Sequence, residues 1–339
     1  MENNKLKTRY MGIELKNPVI IGSSNLVSSN DNLLRLQDAG AAAIVYKSLF
    51  EEQVQLEQLE FDHEMEMYSE RNAEMTSLFP NIKHAGPEEH LLKLRKAKES
   101  LEIPVIGSLN AVTKTNWIEY AKQIAQTGVD GLEINFYAGP GEFKKSSESI
   151  ENEKLALLQE IKSVIKIPVA VKISPYYTNT LDFINRLDEA GADSVILFNR
   201  LFQPEIDIEK MEHVYPFNLS GNGDYGLTLR YAGLLYGNIK SDIVANGGIF
   251  SGDDIIKLIL AGASSVQVVS AIYKHKTDVI KKMLYELETW MNRKQFDSIE
   301  EFKGKLAKKN LTDPFAYKRA QYVDIIMNSE VFTKKYELI

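Results

Sequence analysis

The chain has 339 residues, 44% hydrophobic and 26% charged, with a formal net charge of −7. Charges of both signs mix along it, which argues against a nucleic-acid partner, and no apolar run approaches the roughly 18 residues that span a membrane. It contains no cysteine, which excludes disulfides, thiolate metal sites, cysteine-ligated iron–sulfur clusters and a cysteine nucleophile or base.

The N-terminal residues Met1 to Thr8 are polar and lack a signal-peptide core, so a cytoplasmic location is expected. Strand 1 is expected over 18–22, followed by a helix over 31–38. Strand 2 (43–47) precedes a long insertion, 50–87, and a helix over 88–98. Strand 3 (105–109) leads to helix 116–126, strand 4 (131–135) to helix 151–165, and strand 5 (169–173) to helix 180–189. Strand 6 (194–199) precedes a second insertion, 200–228, and helix 229–239. Strand 7 (243–246) leads to helix 253–260, strand 8 (265–269) leads to helix 277–293, and a tail fills 295–339. The strands are rich in Val and Ile and nearly continuous in apolarity, as suits a parallel sheet buried on both faces. Strict alternation over eight units predicts an α/β fold closed as a (β/α)8 TIM barrel, with long insertions after strands 2 and 6 and a C-terminal helical tail. The barrel is assigned to residues 1–309 and a C-terminal extension, packing on or beside it, to 310–339. Four joints read alike: Asp38-Ala39-Gly40-Ala41, Gln126-Thr127-Gly128-Val129, Glu189-Ala190-Gly191-Ala192 and Leu260-Ala261-Gly262-Ala263. Each Gly is expected to end a helix in the left-handed conformation.

Active sites of such barrels sit at the C-terminal ends of the strands. There the sequence places Gly22-Ser23-Ser24-Asn25, Lys47-Ser48, Ser108-Leu109-Asn110, Glu133-Ile134-Asn135, Lys172-Ile173-Ser174-Pro175, Asn199-Arg200, Asn246-Gly247-Gly248 and Val269-Ser270. Polar groups at a barrel mouth need a ligand or one another. Gly247, Gly248 and Ser270 occupy the customary phosphate loops, where backbone N–H groups hold an anion without a lysine. Lys47 and Lys172 have two uses: countercharge beside a reduced flavin, or a Schiff-base amine in a lysine-dependent aldolase or isomerase. The asparagines favour planar, amide-rich rings. A flavin-binding protein with little turnover is a third reading. The histidines, at 63, 84, 90, 213 and 275, lack metal-ligand spacing, so no metal is expected. Asp62-His63-Glu64 and Glu88-Glu89-His90 read as solvated faces, and the charge run over 303–309 as an exposed helix face. Trp117 and Trp290 read as packing residues.

Together these segments carry a resemblance. Gly12-Ile13-Glu14-Leu15-Lys16-Asn17-Pro18, Tyr46-Lys47-Ser48, Leu132-Glu133-Ile134-Asn135, Val171-Lys172-Ile173-Ser174-Pro175, Ala245-Asn246-Gly247-Gly248-Ile249 and Phe296-Asp297-Ser298-Ile299-Glu300-Glu301-Phe302 make the chain resemble the dihydroorotate dehydrogenase family, in its soluble class 1 branch. The resemblance covers residues 7–309. It implies FMN across the barrel mouth and oxidation of dihydroorotate to orotate in pyrimidine biosynthesis. It implies that Ser23, Ser24, Lys47, Ser48, Asn110, Asn135, Lys172, Gly247, Gly248 and Ser270 bind FMN, and that Asn81, Asn135 and Asn199 face the substrate. Lys47, Asn135 and Tyr137 are expected at the reacting atoms. The implied partners are a small-molecule substrate and a soluble electron acceptor or redox partner subunit, and a homodimer is also expected.

Two departures stand against those matches. In the run Asn135-Phe136-Tyr137-Ala138-Gly139-Pro140, Ala138 holds the position of the family's Cys or Ser base, and Pro140 replaces a substrate-side Asn. In the first insertion Met75 replaces another. The remaining proton acceptors on the strand 4 loop are Tyr137, the nearest, with Ser146 and Ser147. A divergent substrate is therefore expected. The first insertion is expected to form a lid that includes Pro80 and Asn81.

Overall fold

A computed structural model describes residues 4–56, 87–136, 143–200, 204–216, 219–318 and 320–327. The chain opens with an antiparallel hairpin, β1 (Thr8–Tyr10) and β2 (Ile13–Leu15), which the sequence reading missed. Three residues per arm leave too little periodicity to register. There follow β3 (Val19–Ile21), β4 (Ala43–Val45), its short continuation β5 (Leu49–Phe50), β6 (Val105–Asn110), β7 (Gly131–Phe136), β8 (Val169–Ile173) and β9 (Ser194–Leu197). A hairpin of β10 (Glu205–Asp207) and β11 (Glu212–Val214) lies in the second insertion, ahead of β12 (Asp242–Asn246) and β13 (Ser265–Val268). The barrel order is β4–β3–β13–β12–β9–β8–β7–β6, and a β4–β6 pairing closes the ring. All eight of these pairings are parallel.

The connecting helices are α1 (Asn30–Asp38), α2 (Glu88–Ser100), α3 (Lys114–Ala125), α4 (Ser147–Val164), α5 (Thr180–Glu189), α6 (Gly226–Leu235) and α7 (Gly252–Ala261). A short α8 (Ser270–His275) precedes α9 (Asp278–Lys294), and α10 (Ala320–Met327) lies in the tail. The expected (β/α)8 barrel is the observed fold. Gly40, Gly128, Gly191 and Gly262 take the expected positive φ, at +109°, +87°, +97° and +125°.

Alternating side chains divide the barrel into two cores. Val169, Val171 and Ile173 of β8 join an outer core with Leu157, Leu158 and Ile161 of α4. The neighbouring Ala170 joins an inner core with Ile20, Ala43, Val45, Ile106, Ile196 and Val244. Tyr10, Met11 and Leu15 of the first hairpin complete that inner core. Thr8 Oγ1 donates to Ser264 O (2.6 Å), and the Gly12 N–H donates to Asp242 Oδ2 (3.1 Å). Both partners stand where barrel strands begin, so the hairpin plugs the end opposite the strand C-termini.

Trp117 is buried, and Trp290 packs on Phe296 and Phe302. The charge run over 303–309 corrects the reading: it forms turns that end in a single 3-10 turn, Lys308–Asn310, rather than an exposed α-helical face, and the mostly buried Lys303 pairs with Glu300. The chain beyond it returns to α6. Tyr317 Oη donates to Leu306 O (2.8 Å), and Arg230 Nη2 donates to Tyr317 O (3.3 Å). Among the described residues no helix is long and apolar enough to cross a membrane, and no group of His, Asp and Glu is arranged to hold a metal.

Candidate active site

Four successive strand ends are joined by one chain of hydrogen bonds. The Ser23 and Ser48 hydroxyls lie 3.0 Å apart, and the Ser48 N–H donates to Ser23 Oγ at 3.0 Å. The Ser48 and Ser108 hydroxyls are 2.6 Å apart. Asn135 Nδ2 donates to Ser108 Oγ and to Leu109 O, both at 3.2 Å. Ser23, Ser48 and Asn135 were expected in the site. Ser108 was not assigned to it, although it shares the inward parity of Asn110 along β6.

Register places Asn135 beside Lys172. Lys172 is buried, and Nζ donates to Gln267 Oε1 (2.9 Å) and to Glu133 Oε1 (3.4 Å). Gln267 Nε2 donates to Glu133 Oε2, and Tyr10 Oη donates to the same oxygen at 3.0 Å. Glu133 is fully buried, and all its charge is met by these three donors. Burial first, then the adjacent Glu133 carboxylate, pushes the Tyr10 phenol well above its ordinary pKa.

The loops after β12 and β13 form a second cluster. Ser220 of the second insertion joins them: its Oγ accepts from the Gly248 N–H (3.1 Å), and its hydroxyl lies 2.8 Å from Ser270 Oγ. Its own N–H donates to Ser270 Oγ (3.0 Å), and Lys274 Nζ donates to its carbonyl (2.9 Å). Ser220 and Lys274 escaped the sequence reading because an irregular insertion and a one-turn helix offer no pattern. Gly247 has a φ of +88° and open space where a side chain would begin. At Gly248, φ +71°, a Cβ would fall 2.6 Å from Asp224 N and 2.7 Å from Tyr225 N. Gly248→Ala is therefore expected to displace this loop, with strain of about 1–3 kcal/mol. A lower Tm by differential scanning calorimetry would show it.

The remaining predicted residues are placed but largely unpaired. Lys47 is half-buried, and its ammonium has no hydrogen bond or ion pair among the described residues. The Asn110 side chain likewise has no described partner. Asn199 is held through its N–H, which donates to Ile173 O (2.8 Å). Ser24 Oγ donates to Gly22 O (3.3 Å). The Ser174 hydroxyl, after β8, is buried without a partner among the described residues. Ser146 caps α4, accepting from the Ser149 N–H (3.2 Å), and it and Ser147 are exposed. Asn81, Tyr137, Ala138, Pro140, Met75 and the expected lid tip lie outside the described residues.

His90 corrects the reading of a solvated face. Its ring meets Tyr46 edge-on, with centroids 5.5 Å apart, and Nε2 is buried without a partner among the described residues. Burial, then the charges of Lys47 and Lys93, pull its pKa down to about 4, so the imidazole is neutral at pH 7. Glu51 pins the start of the first insertion. Its carboxylate accepts from the N–H groups of Val112 (2.6 Å) and Thr113 (2.9 Å) and from the Thr113 hydroxyl (3.2 Å). Burial raises its pKa, and these hydrogen bonds together lower it by more, leaving a net decrease. Glu51→Ala is expected to lower Tm by removing charge-assisted hydrogen bonds to part-buried donors, at about 1–3 kcal/mol. A depressed folded pKa stabilises above the ordinary carboxyl range, and that contribution is lost as pH falls through the folded value. The Tm of parent and variant should therefore converge in acid.

A barrel mouth that offers an anion cradle on one side, and unpaired amides and a lysine on the other, suits a phosphorylated planar ring. The open space at Gly247 and, among the described residues, the orphaned Ser174 hydroxyl and the unpaired Lys47 and Asn110 all fit such a group. This is the mouth of an FMN-dependent oxidoreductase. The chain matches the dihydroorotate dehydrogenase family over residues 5–291 and belongs to it. It is 28% identical over 323 residues to the dihydroorotate dehydrogenase B (NAD(+)) catalytic subunit of Thermoplasma volcanium, covering 88% of this chain and 97% of the relative. The protein of the same name from Methanocaldococcus jannaschii is 27% identical over 310 residues, with 88% and 97% covered. That of Shouchella clausii is 24% identical over 309 residues, with 88% and 98% covered. The chain is thus an oxidoreductase of the class that acts on CH–CH groups.

Proposed function

We propose that this protein uses FMN to oxidise a small cyclic substrate at a CH–CH bond, and that the substrate differs from dihydroorotate at its polar edge. The observation that carries the flavin half is the Ser23–Ser48–Ser108–Asn135 hydrogen-bond chain running up to Lys172. Bound FMN supplies a hydride acceptor. Gly247, Gly248 and Ser270 would hold its phosphate through the N–H-rich loops after β12 and β13. Ser23, Ser24, Lys47, Ser48, Asn110 and Asn135 would fix the ring, and Lys172 would meet the negative charge that reduction brings. Asn81, Asn135 and Asn199 would face the substrate.

The substrate half rests on Ala138, Pro140 and Met75. A methyl group takes no proton, and the two lost amides remove hydrogen-bond partners for a polar ring. Tyr137 is our candidate to accept the proton, and the first insertion our candidate lid. Electrons would leave to a partner subunit, as supported by relatives that are named catalytic subunits of NAD(+) enzymes. A cytoplasmic homodimer is the expected assembly, and residues 310–339 are read as an extension beside the barrel.

An absorbance spectrum and an anaerobic substrate screen test this. One FMN per chain, reduced by a cyclic CH–CH donor, is expected. A protein that binds no FMN on titration would refute the flavin reading. A carbonyl substrate that condenses with Lys172 or Lys47 and is fixed there as a secondary amine by borohydride would favour the lysine-dependent alternative.

A further inference from the structure

Lys172 does not stand alone at the mouth: its ammonium rests on a buried scaffold. An ammonium has three donors. Two are taken, by Gln267 Oε1 and Glu133 Oε1. The third is left for a ligand at the mouth. Gln267 bridges the other two groups, accepting from Lys172 and donating to Glu133. Tyr10 reaches the same carboxylate from the plug at the opposite end of the barrel. The four residues come from β1, β7, β8 and β13, so the Lys172 head is fixed by three strands besides its own.

We propose that Glu133, Gln267 and Tyr10 are positioning residues that set how much of the Lys172 charge a bound flavin experiences. The Glu133 carboxylate opposes any added negative charge nearby, and Lys172 favours it. Glu133 therefore moderates the lysine, and Tyr10 in turn moderates Glu133 by donating to it. Removing the carboxylate strengthens the lysine's influence on the ring. Removing the phenol leaves the carboxylate less neutralised and weakens that influence. The two substitutions act with opposite signs, which a purely structural role would not produce.

The test rests on the FMN reading above and separates its failure from this one. Midpoint potentials of bound FMN are measured by anaerobic spectroelectrochemical titration, and FMN affinity by fluorescence quenching, for the parent, Glu133→Gln and Tyr10→Phe. Glu133→Gln is expected to shift the potential upward, and Tyr10→Phe to shift it downward by less. Unchanged potentials with FMN bound, or shifts of one sign in both variants, overturn the proposal while leaving the flavin reading intact. A parent that binds no FMN overturns both. Where Glu133→Gln does not fold, Tyr10→Phe decides alone: a downward shift supports the proposal, and a null or upward shift overturns it.

Discussion

Anaerobic mixing of the oxidised protein with dihydroorotate is expected to bleach its flavin slowly or not at all. A positioned general base contributes about 10²–10⁴-fold in rate, and Ala138 has no group to act as one. Two further substitutions compound this. Pro140 has neither an N–H nor an amide side chain, and Met75 offers only a thioether. A site that has lost buried hydrogen-bond partners discriminates poorly for the ring they once matched. For the same reason Ala138→Cys is expected to recover only part of the activity toward dihydroorotate, since the two lost amides stay lost. Stopped-flow absorbance provides the measurement. Bleaching at roughly 1–10³ s⁻¹, ordinary for an enzyme, would show that another group serves as base and that the substrate is unchanged.

Lys172→Ala is expected to damage the protein twice. Glu133 is fully buried, and the substitution leaves its charge without a cation. Breaking a buried pair from one side costs about 3–5 kcal/mol, so Tm should fall well below that of the parent. Bound FMN should also be held less tightly, with its potential shifted downward. The double variant Lys172→Ala with Glu133→Gln separates these effects. Removing both charges restores much of the stability, because no unpaired ion is left. It does not restore the potential to that of Glu133→Gln alone, because the lysine is gone. A double variant as unstable as Lys172→Ala would show that the network contributes packing rather than charge balance.

The fold was legible because its strands and helices repeat. β8 and α5 fall on the expected residues, 169–173 and 180–189, since apolar runs bounded by polar loops leave no competing boundary. The rim was legible for the same reason: once strand ends are known, parity assigns the inward residues. What parity does not reveal is which inward residues meet. Tyr10 and Glu133 are 123 positions apart, and Lys172 and Gln267 are 95 apart. No local pattern couples them, so the network beneath Lys172 was invisible. His90 was misread for a different reason. Its neighbours Glu88 and Glu89 are exposed, and the triplet reads as polar. But 90, 94 and 97 are spaced as one helical face, and Leu94 and Ala97 are buried. That spacing was in the sequence and placed His90 inward.

The plug formed by the first hairpin also orders events in time. Thr8 is bonded across 256 positions to the carbonyl of Ser264, and β3, paired early with β4, finds its second barrel neighbour only in β13. During synthesis from the N-terminus, Tyr10 leaves the ribosome long before Gln267 exists. At about 5–20 residues per second, the interval is on the order of ten seconds or more. Throughout it, β3 has an unpaired edge and the hairpin has no barrel to close. Contacts this distant in sequence make assembly slow, so the charge network beneath Lys172 belongs to the last stage of folding. A chain arrested before β13 would contain nearly every helix of the barrel and still lack a site able to tune its lysine.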